Sequence, residues 1–195
     1  MSPTSCQTAP PRAEEDAVYM KFCSACGSPT RQAIPADDNR HRDVCTVCEQ
    51  IHYVNPKIIV GTIPSWGRQL LLCRRAIEPR SGFWTLPAGF MELGESAQEG
   101  GLRETVEESG AQANIESLFA VFDIPHAEQV HLFYRATLAH PGLDPGPESL
   151  EARLFDPADI PWTELAFQSV RRALTLYLED ADLGVFRIHV ETIRR

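Results

Sequence analysis

The chain has 195 residues, of which 43% are hydrophobic and 23% charged, so it can bury a core and is not wholly disordered. Its formal net charge of −9 argues against a general nucleic-acid binder, which would carry a basic face. No apolar run is long enough for a membrane helix, so membrane association is not expected.

Composition divides the chain into three segments. Residues 1–18 hold prolines, polar residues and acids without a hydrophobic signal core, and read as a disordered tail. With no export signal in view, the expected setting is the cytoplasm. Residues 19–56 hold four of the six cysteines as two C-x-x-C pairs, Cys23/Cys26 and Cys45/Cys48, separated by 18 residues. In a chain that is not exported, this spacing reads as one tetrahedral Zn²⁺ bound by four thiolates, ahead of two disulfides or a redox pair. A closed four-thiolate site is structural. His41 and His52 nearby are expected to pack or face solvent. Cys6 falls in the tail, and Cys73 in an apolar run is expected to be a buried small residue.

Residues 57–195 carry the alternating and helical patterns of an α/β domain. Residues 57–63 and 69–74 read as strands joined around Ser65, Trp66 and Gly67, and residues 83–86 as another short strand. A helix begins just after Ser96, where Ser96 and Glu99 form an S-x-x-E capping box, and ends near Ser109, before Gly110. Residues 115–123 and 130–138 read as strands around a turn at Pro125 and His126. A Pro/Gly-rich loop, 141–147, leads to a strand at 152–155. Val170, Leu174, Tyr177 and Leu178 recur at helical spacing over 168–179, with Gly184 as a stop. Residues 185–190 read as a last strand. Many strands and two helices imply a mixed sheet between helices.

The first helix places Glu104, Glu107 and Glu108 on one face, where each like-charge contact costs about 0.2–0.5 kcal/mol. They lie in the C-terminal half, where the helix dipole also disfavours them. A hard divalent cation converts that repulsion into coordination. A solvated acidic face is the plainer reading of three glutamates alone.

The flanking residues carry more. Gly89, Glu95, Arg103, Glu104, Glu107, Glu108 and Gly110 fall at the spacing G-x5-E-x7-R-E-U-x-E-E-x-G-U, with Thr105 and Ala111 at the two apolar positions. On this segment the chain resembles the Nudix hydrolases. The resemblance implies an α/β/α sandwich with a mixed sheet, preceded here by a small zinc ribbon. It implies Mg²⁺ or Mn²⁺ held by Glu104, Glu107, Glu108 and the Gly89 carbonyl, and a Glu95–Arg103 pair that braces the loop. Glu92 lies near enough in sequence to reach a metal through water. One departure is Gly100-Gly101 inside the helix, about 1 kcal/mol each against alanine and read as close backbone packing or a locally soft helix. The implied reaction is hydrolysis of a diphosphate bond. Glu104, Glu108, Glu128, Glu148 and Glu151 are candidate bases.

From residue 20 to 190 the chain also resembles the plant plastid members that hydrolyse FAD and ADP-ribose, through Trp84-Thr85-Leu86-Pro87-Ala88-Gly89, Asp123-Ile124-Pro125 and the run from Pro145 to Glu151, among others. This implies a small-molecule nucleotide substrate, with AMP as the shared product, and by analogy a homodimer. The S-Q-P-W-P-F-P-x-S motif of NADH diphosphatases is absent. An NADH or dinucleoside diphosphatase and a non-catalytic ADP-ribose or flavin sensor are the alternatives. Phe22, Tyr53, Trp84, Phe90 and Phe122 are candidates to stack a base, and Arg74, Arg75 and Arg80 to meet phosphate.

Overall fold

A computed structural model describes residues 20–194. The expected tail and Cys6 lie outside them. The chain divides into two compact units, one ending at Asn55 and the other beginning at Pro56.

The first unit is built on a small antiparallel sheet of β1 (Thr30–Ala33), β2 (Arg42–Cys45) and β3 (Ile51–His52), in that order. Gly27 follows the first cysteine pair with φ of 74°, a conformation glycine adopts without penalty, and its N–H bonds the Cys23 carbonyl at 2.8 Å. His52 is buried in this unit, consistent with a packing role.

The second unit contains β4 (Lys57–Trp66), β5 (Gln69–Arg75), β6 (Trp84–Thr85), β7 (Ala88–Phe90), α1 (Ala97–Ser109), β8 (Ala113–Ile124), β9 (Gln129–Leu138), β10 (Ser149–Phe155), α2 (Gln168–Leu183) and β11 (His189–Thr192). The sheet runs β10-β5-β4-β9-β8-β11. It is mixed: β4 pairs with β9, and β8 with β11, in parallel, while the remaining pairs are antiparallel.

β4 runs through Ser65 and Trp66, expected in the turn, and β10 begins at Ser149 rather than 152; two further differences have identifiable reasons. β4 and β5 bond each other only at Ser65↔Leu70 and Trp66↔Gln69, beside the hairpin turn. Beyond it they diverge, and residues 84–90 enter the gap. β6 pairs with β5 and β7 with β4, so the expected strand at 83–86 is shorter and a second one, β7, follows it. The last strand begins at His189 rather than 185 because the chain after Gly184 first binds the end of α2. There the Arg187 N–H donates to the Asp180 carboxylate at 2.8 Å.

β4 shows how the layers form. Residues 60–65 are all buried, as expected of a strand covered on both faces. Thr62 bonds α1 at Thr105, whereas its neighbour Ile63 joins the cluster with Val170, Ala173 and Leu174 of α2. Alternation along the strand therefore sends successive side chains to opposite helices, giving an α/β/α sandwich. The larger cluster, with Phe119, Phe122 and Phe133, lies on the α2 side; a smaller one joins Leu71, Ala111 and Leu138. Cys73 is fully buried. No described helix is long and apolar enough to cross a membrane.

Asp180 is fully buried on α2 and accepts from the Arg187 backbone, the Arg187 guanidinium at 3.3 Å and His189 Nε2 at 2.9 Å. Burial opposes its ionisation, but these donors hold its pKa at about 2, below the ordinary 3.8. A depressed carboxylate pKa adds stability above the unfolded value and loses it as pH falls through the folded one. Asp180→Asn is therefore expected to be less stable than the parent at pH 6, with the gap shrinking between pH 4 and 2. Urea unfolding across that range measures it.

Candidate active site

α1 is fixed at both ends by its own sequence. Ser96 Oγ accepts the Glu99 N–H at 3.3 Å, and the Glu99 carboxylate accepts the Ser96 N–H at 2.8 Å. Gly110 closes the helix with φ of 67°. Between the caps, Gly100 and Gly101 let the helix lie against β4. A Cβ on Gly100 would stand 2.7 Å from Val60 Cγ2 and 2.6 Å from Glu95 Oε1, so Gly100 is a packing requirement, whereas a Cβ on Gly101 would make ordinary contacts of 3.4 Å with Gly61 O and Thr62 Cγ2. Thr105 occupies a position the Nudix pattern gives to an apolar residue. It is fully buried, yet its hydroxyl donates to the Gly101 carbonyl at 2.7 Å and meets the Thr62 hydroxyl at 2.6 Å. The polar substitute is tolerated because β4 supplies a matching partner.

So anchored, α1 presents its glutamates to the loop before it. Arg103 is the hub. Its Nε and Nη2 donate to the Glu95 carboxylate at 3.0 and 2.9 Å. Its Nη1 donates to Glu104 at 2.7 Å and Glu107 at 3.0 Å, and Nη2 also donates to the Phe90 carbonyl at 3.0 Å. Arg103 and the Glu92 N–H hold the Glu95 pKa at about 2. Gly89 lies directly over Glu104: a Cβ there would be 2.4 Å from its Oε1. Only a glycine admits the carboxylate so close to the loop backbone.

Glu108 is the buried member, 7% exposed. Burial first, then the charge of Glu104, raises its pKa to about 8, against the opposing pull of Arg75 and the Ala88 N–H. Burial also raises the Glu104 pKa. Glu108 Oε2 is buried with no hydrogen-bond partner. An orphaned oxygen, a crowded carboxylate face and a glycine cradle together fit a hard divalent cation. Glu104, Glu107, Glu108 and the Gly89 carbonyl are the groups available to hold it.

These groups form one wall of a cleft of about 730 Å³. Glu92 and Glu148 add further carboxylates. The opposite character comes from Ile59, Phe90, His131, Phe133, Phe167 and Val170. The cleft thus joins an acidic region to an apolar, partly aromatic one. In the first unit, the four cysteine sulfurs converge within 4.8 Å of one another. Their contacts of 3.4 to 3.6 Å approach the ~3.8 Å spacing of thiolates around tetrahedral zinc. Backbone N–H groups of Ala25, Val47 and Cys48 point at the sulfurs, each at 3.4 Å. The quartet suits one structural Zn²⁺.

Comparison with known families gives two matches. Residues 56–177 match the model of the NUDIX domain, and residues 21–54 that of the Nudix N-terminal zinc ribbon. The chain belongs to the Nudix hydrolase family. A crystal structure of a Nudix hydrolase from Nitrosomonas europaea is 46% identical, with a TM-score of 0.88, covering 90% of this chain and all of that one. An ADP-ribose pyrophosphatase of Methanocaldococcus jannaschii is 30% identical over 119 residues, 59% of this chain and 69% of the enzyme. The NAD-capped RNA hydrolase NudC of Stutzerimonas stutzeri is 31% identical over 163 residues, 81% of this chain but only 56% of that protein.

Within the Nudix domain the structure brings Gly89, Glu95, Arg103, Glu104, Glu107 and Glu108 together and sorts the remaining candidates. Among the possible bases, Glu148 lines the cleft, and its charge acts on Glu104 and Glu108. Glu128 sits instead in the turn after Pro125, and Glu151 on β10 opposite Arg74. Of the five aromatics proposed to stack a base, Phe90 alone reaches the cleft, with half its surface exposed. Trp84 and Phe122 are core, and Phe22 and Tyr53 belong to the first unit. Arg74 Nε bonds the Gly82 carbonyl and Arg80 covers the Phe83 ring, leaving Arg75 as the candidate that lines the cleft. Phe133, Phe167, His131 and Gln129 also line it and were not singled out in the sequence. Gln129, His131 and Phe133 alternate along β9, a pattern that marks one face without telling core from cleft.

The Thr62–Thr105 contact predicts a specific ordering of variants. Thr105→Val strands the buried Thr62 hydroxyl and is expected to cost about 1–3 kcal/mol. The double variant Thr62→Val/Thr105→Val removes both polar groups and is expected to recover most of that loss. Denaturant unfolding of the three proteins checks it.

Proposed function

We propose that this protein hydrolyses the diphosphate bond of a nucleoside diphosphate derivative with Mg²⁺ or Mn²⁺, taking ADP-ribose or FAD and releasing AMP. The observation that carries this reading is the Glu104–Glu107–Glu108 face, with its buried unpartnered oxygen, set against Gly89. A bound cation there would screen the diphosphate charge and make a nearby water more acidic.

The chain's own residues set the geometry. Arg103 ties the loop of Glu95 and Phe90 to α1 and holds the Glu104 and Glu107 carboxylates beside it. Preformed placement of this kind lowers the reorganisation needed at the transition state. Glu148 comes from a different element, the loop entering β10, and is free of α1's network. We assign it, ahead of the other candidate bases, to take a proton from the attacking water. As water oxygen bonds to one phosphorus, the bridging P–O bond breaks and the other phosphate leaves with the electron pair. ADP-ribose then yields AMP and ribose 5-phosphate, and FAD yields AMP and FMN.

Substrate choice rests on three supports. The apolar region of the cleft, with Phe90 half exposed, suits a flat heterocycle. The sequence resembles the plant plastid FAD and ADP-ribose enzymes over residues 20–190, and an archaeal ADP-ribose pyrophosphatase is among its relatives. The NudC match favours a second reading, cleavage of NADH or a related dinucleotide; the missing S-Q-P-W-P-F-P-x-S motif weighs against it. A ligand-sensing Nudix domain without turnover has no need of the intact glutamate set. Zinc in the ribbon is structural, analogy with related ADP-ribose enzymes adds a homodimer to the reading, and a cytoplasmic setting rests on the sequence expectation alone.

The side chain of Glu107 is 58% exposed, so Glu107→Gln is expected to fold with an unchanged melting temperature. Its turnover of ADP-ribose or FAD with Mg²⁺ should fall by roughly 100-fold or more. A panel of ADP-ribose, FAD, NADH and diadenosine phosphates measures this. Cleavage of NADH alone would select the second reading. Full activity in the variant would remove Glu107 from the site.

A further inference from the structure

The cleft poses a charge problem for an anionic substrate. Glu78, Glu92, Glu104, Glu107, Glu108 and Glu148 line it, against Arg75 and Arg103. Arg103 is fully engaged with three carboxylates and the Phe90 carbonyl. Arg75 is different. Its backbone is locked in β5, opposite Ser149 and bonded to Phe83 and Gly82. Its Nε donates to the Pro79 carbonyl at 2.9 Å, and its guanidinium lies 5.2 Å from the Phe167 ring centroid. Those two contacts restrain the group beside the cleft. Among the described residues it makes no ion pair, and its two terminal nitrogens have no protein acceptor.

A guanidinium restrained by its Nε beside a ring leaves its remaining N–H groups free to donate to a ligand. Phosphate oxygens match its fork geometry. We propose that Arg75 positions the substrate's diphosphate, its terminal nitrogens donating to non-bridging phosphate oxygens. The assignment rests on the diphosphatase reading for its substrate but not for its geometry. Arg75 acts on binding common to ground and transition states, so its loss raises KM more than it lowers kcat.

The test uses the full zinc-loaded chain as parent, Arg75→Gln and Arg75→Lys. KM and kcat for ADP-ribose are measured with Mg²⁺, and calorimetry follows binding of ADP and of adenosine. Arg75→Gln is expected to raise KM and weaken ADP binding by about tenfold to a hundredfold, with kcat changed far less and adenosine binding unchanged. Arg75→Lys, which keeps the charge but not the fork, is expected to recover part of the loss. ADP affinity within twofold of the parent in Arg75→Gln would overturn the assignment. So would an equal loss for adenosine, which would mark Arg75 as a structural support of the cleft. If the parent cleaves no diphosphate yet binds ADP through Arg75, the assignment stands and the proposed activity falls.

Discussion

Placing Glu104, Glu107 and Glu108 side by side on α1 is the constraint around which the rest of the domain is arranged. The arrangement is unfavourable by itself. Like charges crowd one another at the wrong end of a helix dipole, and one is buried with an oxygen that bonds nothing. Three features hold it in place. Arg103 offsets part of the charge, the Ser96 and Gly110 caps define the helix ends, and Gly100 and Gly101 seat it on β4 beside the Thr62–Thr105 contact. What remains without a partner is the buried Glu108 oxygen.

The sheet serves this helix. Because β4 and β5 separate beyond their hairpin, the 84–90 segment can enter between them and carry Gly89 onto the Glu104 carboxylate. The same opening gives the cleft its two characters. Residues from α1 and the β10 loop make it acidic, and Ile59, His131 and Phe133, from the parallel pair β4 and β9, make it apolar. A molecule with a phosphate-rich centre and a flat ring satisfies both.

Sequence made the helix and its chemistry legible because those signals are local. The capping box, the terminal glycine and the charge spacing all lie within 96–110, and the structure ends α1 at Ser109, before Gly110. The two cysteine pairs were legible for the same reason, since thiolates at that spacing have few other uses. Gly100 bears out the close-packing reading of the glycine pair, although only the fold shows that Val60 is the neighbour; Gly101 has room for a side-chain carbon. What escaped depends on distant contacts. β7 has three residues and exists only because β4 lies open to it. Arg75 could not be told from Arg74 and Arg80 by type, only by which way the loop at 76–82 folds back on each. Phe167 carried no signal in the sequence, and the fold sets its ring beneath Arg75.

The most direct test of the account is calorimetric titration of Mn²⁺ into the zinc-loaded protein at neutral pH, in buffers of different ionisation enthalpy. Burial keeps much of Glu108 protonated near pH 7, with its pKa at about 8, and a carboxylate must lose its proton to bind a cation. The account predicts Mn²⁺ uptake with a heat that depends on the buffer, and loss of both in Glu104→Gln/Glu108→Gln while the zinc content stays constant. Undiminished Mn²⁺ binding by that double variant would contradict it.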